Sequence, residues 1–403
     1  MAKIAVMGYG TVGSGVCEVM AENTGSIARN AAQELDIKYI LDIHDRPDSP
    51  FAGKFIKDFN IIEQDPEIDV VVETIGGVGA AYEFTRRCLL AGKSVVTSNK
   101  ELVATKGHEL IDIAREKNVN YLFEASVGGG IPIIRPITQC LAANKIDEIY
   151  GVLNGTTNYI LTEMITCGTN FADALSQAQN LGFAEQNPTA DVDGHDACRK
   201  ICILSDLCFG RHVDPDLIKT QGIRDVALED VEYARRIGYK IKLLGRAMRT
   251  GDDTISAYVA PHFVSKDNLL SNVDGVMNGI VVHGNAIGEA MFYGPGAGKR
   301  PTASAVVADV IDAVKHRDSR KYIEWEDVRD GYVTDSDSLK SRWYIRAGGS
   351  LANIGKAFGN VQFISYPGSA FDEYAFISDA MDGHEINRLT KSIEIRSIYR
   401  LLD

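Results

Sequence analysis

The sequence predicts an α/β protein of three parts. These are a doubly wound parallel sheet of the Rossmann type, a mixed α+β domain that binds substrate and dimerises, and a C-terminal ferredoxin-like domain. Residues 1–125 alternate short β-branched apolar runs with helical stretches, the pattern of βαβ units around a parallel sheet. Gly8-Tyr9-Gly10-Thr11-Val12-Gly13 falls where the first run ends and a helix opens. The last 60 residues read strand, helix, strand, strand, helix, strand.

The strands of the first part are Ile4 to Met7, Ile37 to Ile43, Val70 to Thr74, Ser94 to Thr97 and Tyr121 to Ala125. Their continuous apolar character marks strands buried on both faces. Helical patterns cover Ala80 to Ala91 and Glu101 to Lys117. The character changes at Ser126, where Gly128-Gly129-Gly130 leads into Pro132 and Pro136. Strands Ile146 to Leu153 and Thr254 to Val259 then read as antiparallel. A second glycine cluster at 294–298 precedes a helix from Thr302 to Lys315. The expected domains are 1–135, completed by a helix over 296–316, and 136–295. A polar linker at 317–341 and a domain at 342–403 follow. In the last part the strands are Trp343 to Arg346, Val361 to Tyr366, Tyr374 to Ile377 and Ser397 to Leu401. The helices are Leu351 to Phe358 and His384 to Ser392.

A length of 403 residues is ample for a large core. The net charge of -13 repels phosphate backbones and anionic lipid, so neither nucleic acid nor membrane is an expected partner. No apolar run approaches the ~20 residues that span a bilayer. The N-terminus turns glycine-rich too early for a signal peptide. Seven cysteines without a CxxC pair read as reduced thiols of a cytoplasmic protein.

In the glycine motif, Gly8 makes a tight turn, Gly10 lets backbone approach a pyrophosphate, and Gly13 packs helix on strand. The helix N-terminus at Thr11 and Val12 offers free N–H groups to phosphate. Asp42, near the end of the second strand, is either a ribose-binding carboxylate or a solvated strand end. Its distance from the motif requires a long or broken first helix. Lys100, in Thr97-Ser98-Asn99-Lys100-Glu101, lies at the carboxyl end of a strand, where open α/β sheets bind ligands. A solvated lysine there meets an unfavourable helix N-terminus. Residues 181–200 form the densest polar cluster. Asp196 and Lys200 are i,i+4 neighbours on one helix face, either a surface ion pair or part of a site. His195 reads as structural. The 1-3-5 spacing of a calcium loop is missing, and Cys198 with Cys202 lacks histidine support for a metal. Asn154-Gly155-Thr156-Thr157-Asn158 follows a strand and reads as a helix cap or a substrate contact.

Together these motifs resemble homoserine dehydrogenase over about residues 1–315: GYGTVGSGV at 8–16, SNKELVA at 98–104, EASVGGGIPII at 124–134, LNGTTNYIL at 153–161, LGFAEQNPTADVDGHDACRK at 181–200 and GPGAGKRPTASAVVAD at 294–309. The resemblance implies reversible reduction of aspartate 4-semialdehyde to homoserine with NAD or NADP, within threonine and methionine biosynthesis. It implies Lys200 and Lys100 as catalytic residues, with Glu185, Asp196, Asp191, Gly155 and Thr156 binding substrate. Gly8, Gly10, Thr11, Val12, Gly13, Asp42, Ser98, Lys100, Gly182 and Gly298 would bind the cofactor. It also implies a sodium or potassium ion held by Glu124 and the backbone of Val127, Gly129 and Ile131, and a homodimer or homotetramer. The chemistry agrees, since a lysine beside the carbonyl stabilises charge and supplies a proton if its pKa is lowered.

The stretch Leu41-Asp42-Ile43-His44 lacks the basic residue that the family usually places against a 2′-phosphate, which favours NAD. The last domain resembles an ACT domain in its order of elements. The acidic-Pro-Gly turn of that domain is replaced by Ala347-Gly348-Gly349-Ser350, so no threonine switch is expected. Two alternatives remain. A phosphorylating semialdehyde dehydrogenase needs a nucleophilic cysteine with a histidine base, for which Cys140 is the candidate. A non-catalytic dinucleotide sensor needs no lysine pair.

Overall fold

The structure is a computed structural model that describes residues 1–319, 321, 323–359, 361–365 and 371–403. The chain opens with β1 (Ala2–Met7), α1 (Thr11–Glu22), α2 (Thr24–Ala31), β2 (Leu35–Leu41), β3 (Phe55–Ile56) and α3 (Asn60–Gln64). It continues with β4 (Ile68–Glu73), α4 (Gly79–Leu90), β5 (Ser94–Thr97), α5 (Lys100–Glu116) and β6 (Tyr121–Leu122). All six strands are parallel in the order β3-β2-β1-β4-β5-β6, the doubly wound order of the Rossmann fold. Ile4, Val6, Val71, Val72, Val95 and Val96 are wholly buried, as continuous β-branched runs require.

Three local differences bear on the site. The second strand stops at Leu41, and Ile43 is exposed. The sixth strand stops at Leu122 and turns into a single 3₁₀ turn, Glu124–Ser126. The first helix breaks at Asn23 into α1 and α2, which supplies the extra chain that the distance to Asp42 requires.

The second part holds β7 (Ile146–Val152), α6 (Gly155–Cys167), α7 (Phe171–Asn180), α8 (Thr189–Val192), α9 (His195–Phe209) and β8 (Lys219–Thr220). It continues through α10 (Leu228–Arg236), β9 (Tyr239–Gly251), β10 (Thr254–Ser265), β11 (Met277–Gly284) and β12 (Gly288–Pro295). Helix α11 (Lys299–Lys315) then returns to the first part. There Lys299 pairs with Glu18 at 2.6 Å and Arg300 pairs with Glu22, both on α1. The glycine-rich stretch before α11 is thereby tied to the helix that follows the dinucleotide motif.

The last part runs β13 (Trp343–Gly348), α12 (Leu351–Phe358), β14 (Gln362–Ile364), β15 (Glu373–Ile377), α13 (Gly383–Thr390) and β16 (Glu394–Leu402). Tyr366, expected at a strand end, lies outside the described residues. Its four strands are ordered fourth, first, third, second, as in a ferredoxin-like sheet. This sheet is not separate. β16 pairs in parallel with β10, aligning Arg400 with His262 and Leu402 with Val264, so one sheet runs β12-β11-β7-β9-β10-β16-β13-β15-β14, with β8 on β10. The β16 edge of the small sheet is thus filled from within the chain.

Asp230 on α10, fully buried, accepts from Arg346 Nε at 2.7 Å and Tyr344 OH at 3.0 Å. The other end of the Arg346 guanidinium reaches Glu373 at 2.9 Å. Nor is 317–341 a free linker, because Ile323, Trp325 and Tyr332 are buried and Trp325 packs on Phe123. Among the described residues no helix is long and apolar enough to cross a membrane.

Candidate active site

At the end of β1 the chain turns sharply at Gly8, whose φ of +92° suits glycine. A Cβ on Gly13 would stand 1.9 Å from the Gly8 carbonyl oxygen, so only glycine lets α1 pack this close to the turn. Among the described residues, nothing lies within 4 Å of the place a Cβ on Gly10 would take and no side chain caps α1, so the first N–H groups at Thr11 and Val12 remain available to a phosphate. Asp42 closes the turn. Its two carboxylate oxygens accept Tyr9 N and His44 N, each at 2.8 Å. The residues present therefore fit a dinucleotide.

The catalytic candidates meet in a cavity of about 310 Å³ lined by Lys100, Asn154, Asp191, Asp196 and Lys200, with Gly296 and Gly298 on its other wall. Lys100 is the first residue of α5, whose N-terminus is capped by Asn99 through Leu102 N at 3.1 Å. Asp196 and Lys200 lie one turn apart on α9, and both are buried. One carboxylate joins the lysines: Asp196 meets Lys100 Nζ at 2.8 Å through one oxygen and Lys200 Nζ at 2.7 Å through the other. Lys200 Nζ also donates to the Leu153 carbonyl at 2.8 Å.

The electrostatics separate these groups. Burial lowers the Lys200 ammonium pKa, against the pull of Asp196. The charge of Asp196 raises that of the half-buried Lys100, against burial. For Asp196 itself burial acts upward, but the two ammonium groups and the Asn154 amide outweigh it and hold the carboxyl well below its usual range. Burial raises Asp191. Two lysines on one carboxylate are thus pushed apart, with Lys200 the nearer to titrating at working pH and Lys100 the fixed cation.

The remaining candidates fall into place unevenly. Gly155, Thr156, Gly182 and Gly298 line the cavity, and the Thr156 hydroxyl donates to the Phe183 carbonyl at 2.7 Å. Ser98 is half-buried just beyond β5. Glu185 is exposed on the 181–188 loop and does not line the cavity. His195, read as structural, is exposed at the start of α9. Cys140 is exposed and away from the cavity. Glu73 was not singled out from the sequence. It is fully buried at the end of β4, accepts Thr97 Oγ1 at 2.6 Å, and so ties the ends of β4 and β5 together beside Lys100. A carboxylate closing an apolar strand run was its only signal.

The Glu124 carboxylate is buried and accepts Ile133 N at 2.7 Å and Ile134 N at 2.8 Å through one oxygen and Arg135 N at 2.9 Å through the other. It caps the next helical turn. Among the described residues, no hydrogen bond reaches the carbonyls of Val127, Gly129 or Ile131, all of which are buried. A Cβ on Gly129 would stand 2.5 Å from the Gly296 oxygen, and Gly296 packs on Asn278, whose buried amide finds no partner among the described residues. Carbonyl oxygens without donors suit a hard cation, and Glu124 Oε2, with one N–H donor, keeps a lone pair for one as well.

A nicotinamide-dinucleotide dehydrogenase is the class that this fold and cavity define: an oxidoreductase with an NAD(P)-binding domain. Residues 8–124 match the family model for the homoserine dehydrogenase NAD-binding domain, and residues 132–311 match the one for homoserine dehydrogenase. The chain belongs to the homoserine dehydrogenase family. It is 41% identical to a homoserine dehydrogenase of Neisseria gonorrhoeae over 355 residues, covering 85% of this chain and 81% of that one. Its fold is similar to the crystal structure of a homoserine dehydrogenase from Thiobacillus denitrificans, with a TM-score of 0.92 and 33% identity, covering 100% of this chain and 98% of that one. It is also similar to a hyperthermophilic archaeal homoserine dehydrogenase in complex with NADPH, with a TM-score of 0.65 and 29% identity, covering 77% of this chain and 97% of that one.

Proposed function

We propose that this chain interconverts L-homoserine and L-aspartate 4-semialdehyde at the cavity around Asp196. The observation that carries the reading is the single buried carboxylate shared by Lys100 and Lys200. A nicotinamide dinucleotide held at the Gly8–Gly13 turn would supply the hydride acceptor for the alcohol carbon in the oxidative direction. Neutral Lys200 takes the proton leaving the hydroxyl oxygen, and in the reverse direction charged Lys200 returns it to the aldehyde oxygen. Lys100, held as a cation, stabilises negative charge on that oxygen. Asp191 faces the substrate ammonium, and Glu185 is the second carboxylate for that group. Gly155 and Thr156 set the floor. Ser98, Gly182 and Gly298 stand on the cofactor side. The lysine pair favours an enzyme over a dinucleotide sensor, and Cys140 is too far from the cavity to serve an acylating mechanism.

NAD is the preferred cofactor, because a 2′-phosphate near Asp42 would face its carboxylate, whereas a 2′-hydroxyl can donate to it. Purified protein should reduce dinucleotide with L-homoserine, followed at 340 nm, with a higher kcat/KM for NAD than for NADP. A ratio favouring NADP removes the role given to Asp42. No reduction with either removes the reaction.

A sodium or potassium ion is held by Glu124 and the loop carbonyls of Val127, Gly129 and Ile131. Replacing these ions with tetramethylammonium should lower activity, and restoring either small cation should recover it. Equal rates in all three salts would leave the loop a plain turn.

The domains divide at 1–135 with 296–316, 136–295 and 342–403. The last behaves as a fixed part of the main sheet, ACT-like in its order of elements and without a threonine switch. The enzyme acts in the cytoplasm as a homodimer or homotetramer. The outer strand β12, with Tyr293 exposed, offers the kind of free edge that a second copy pairs.

A further inference from the structure

We infer that Asn154 is a positioning residue that holds Asp191 and Asp196 apart, so that one carboxylate serves the lysines and the other faces the substrate. The inference rests on the reading of this cavity as the homoserine site. Asn154 is buried at the junction of β7 and α6. Its amide nitrogen carries two N–H groups. One donates to Asp191 Oδ1 at 2.7 Å and the other to Asp196 Oδ2 at 2.8 Å. Its oxygen accepts Thr157 N at 2.8 Å and Thr157 Oγ1 at 3.0 Å, which caps α6. The amide has one workable orientation, since a flip would turn donors toward the helix N–H and an oxygen toward two carboxylates.

Capping alone does not call for asparagine here. Serine or aspartate caps about as well. Among small capping side chains, only an amide accepts from the helix and also donates to both carboxylates. The preceding residue contributes as well, because the Leu153 carbonyl takes Lys200 Nζ. Residues 153 and 154 thus fix the lysine and both acids from one strand end.

The charged groups around this amide come from three elements: Asp191 on α8, Asp196 and Lys200 on α9, and Lys100 on α5. Arg199 on α9 pairs with Glu101 at 3.0 Å. Two donors aimed at two carboxylates favour their ionised forms. Burial works against Asp191 in this respect, and the Asn154 amide opposes burial. Without the amide both acids should take up protons at higher pH.

Asn154→Ser keeps an oxygen for the cap and replaces the two N–H donors by one O–H on a shorter side chain, which cannot serve both carboxylates. Asn154→Asp keeps the cap and sets a third carboxylate against the other two. The test measures the melting midpoint, kcat and KM for L-homoserine against pH, and the titration of the Asp191 and Asp196 side chains by carboxyl-carbon NMR. For Asn154→Ser a near-native melting midpoint is expected. Its KM should rise about tenfold, and its acid limb of kcat/KM should move up by about one pH unit. Asn154→Asp should lose more than Asn154→Ser. Acid limbs and carboxyl titrations that coincide with those of the wild type in both variants would overturn the inference. Wild-type protein inactive toward homoserine would remove the substrate reading instead, and the carboxyl titrations would still decide the role of Asn154.

Discussion

Lys200→Met will lower turnover about 10²- to 10⁴-fold at saturating homoserine, the range for removing a positioned acid or base. Methionine keeps the length and apolar stem in a buried place, so the loss falls on the ammonium. That ammonium meets Asp196 at 2.7 Å and the Leu153 carbonyl at 2.8 Å, both fixed by elements of the second domain. Lys100→Met should cost less, because Lys100 is half-buried and supplies charge without carrying the proton. Stopped-flow or steady-state rates at 340 nm read both. Wild-type turnover in Lys200→Met would move the proton chemistry to another group. A loss confined to KM would make Lys200 a binding residue only.

Asp230→Ala will destabilise the fold by roughly 3–5 kcal/mol, the usual result of removing one partner of a buried ion pair. Asp230 has no exposed surface and receives the Arg346 guanidinium and the Tyr344 hydroxyl. Glu373 stays with Arg346, which places the loss toward the lower end. Asp230→Asn should cost less, since its amide oxygen can still accept from Tyr344. The effect should reach the whole main sheet, because β16 is laid against β10 and Tyr344 stacks on Phe263 at 4.1 Å. Thermal unfolding checks this, and an unchanged midpoint would mean that the last part folds and holds without its ionic anchor.

Much of the first part was legible because its signals are local. Val70-Val71-Val72 is a continuous β-branched run, the pattern of a doubly buried strand. A glycine motif between strand and helix leaves few alternatives, and the spacing of Asp196 and Lys200 already puts them on one helix face. Contacts between distant elements were not legible. Nothing near Lys100 announces that its ammonium meets Asp196, 96 positions later and across the domain boundary. The 154–158 stretch read as a helix cap or a substrate contact, and the two acids that Asn154 donates to lie 37 and 42 residues on. The sequence also does not show that three backbone N–H groups turn back to the Glu124 carboxylate. The placing of β16 beside β10 follows from neither strand alone, since an apolar edge does not name its partner.

In the proposed reaction Asp196 holds the proton-carrying lysine at its working pKa. The pH dependence of kcat for homoserine oxidation, compared between wild type and Asp196→Asn, tests it most directly. Oxidation needs Lys200 neutral, so the rate rises as pH passes through its pKa, and the Asp196 charge keeps that pKa up against burial. Removing a charge this close should move the rising limb to lower pH by about 1–3 units, with a reduced plateau. A limb that stays in place would contradict the account, and so would one that moves to higher pH.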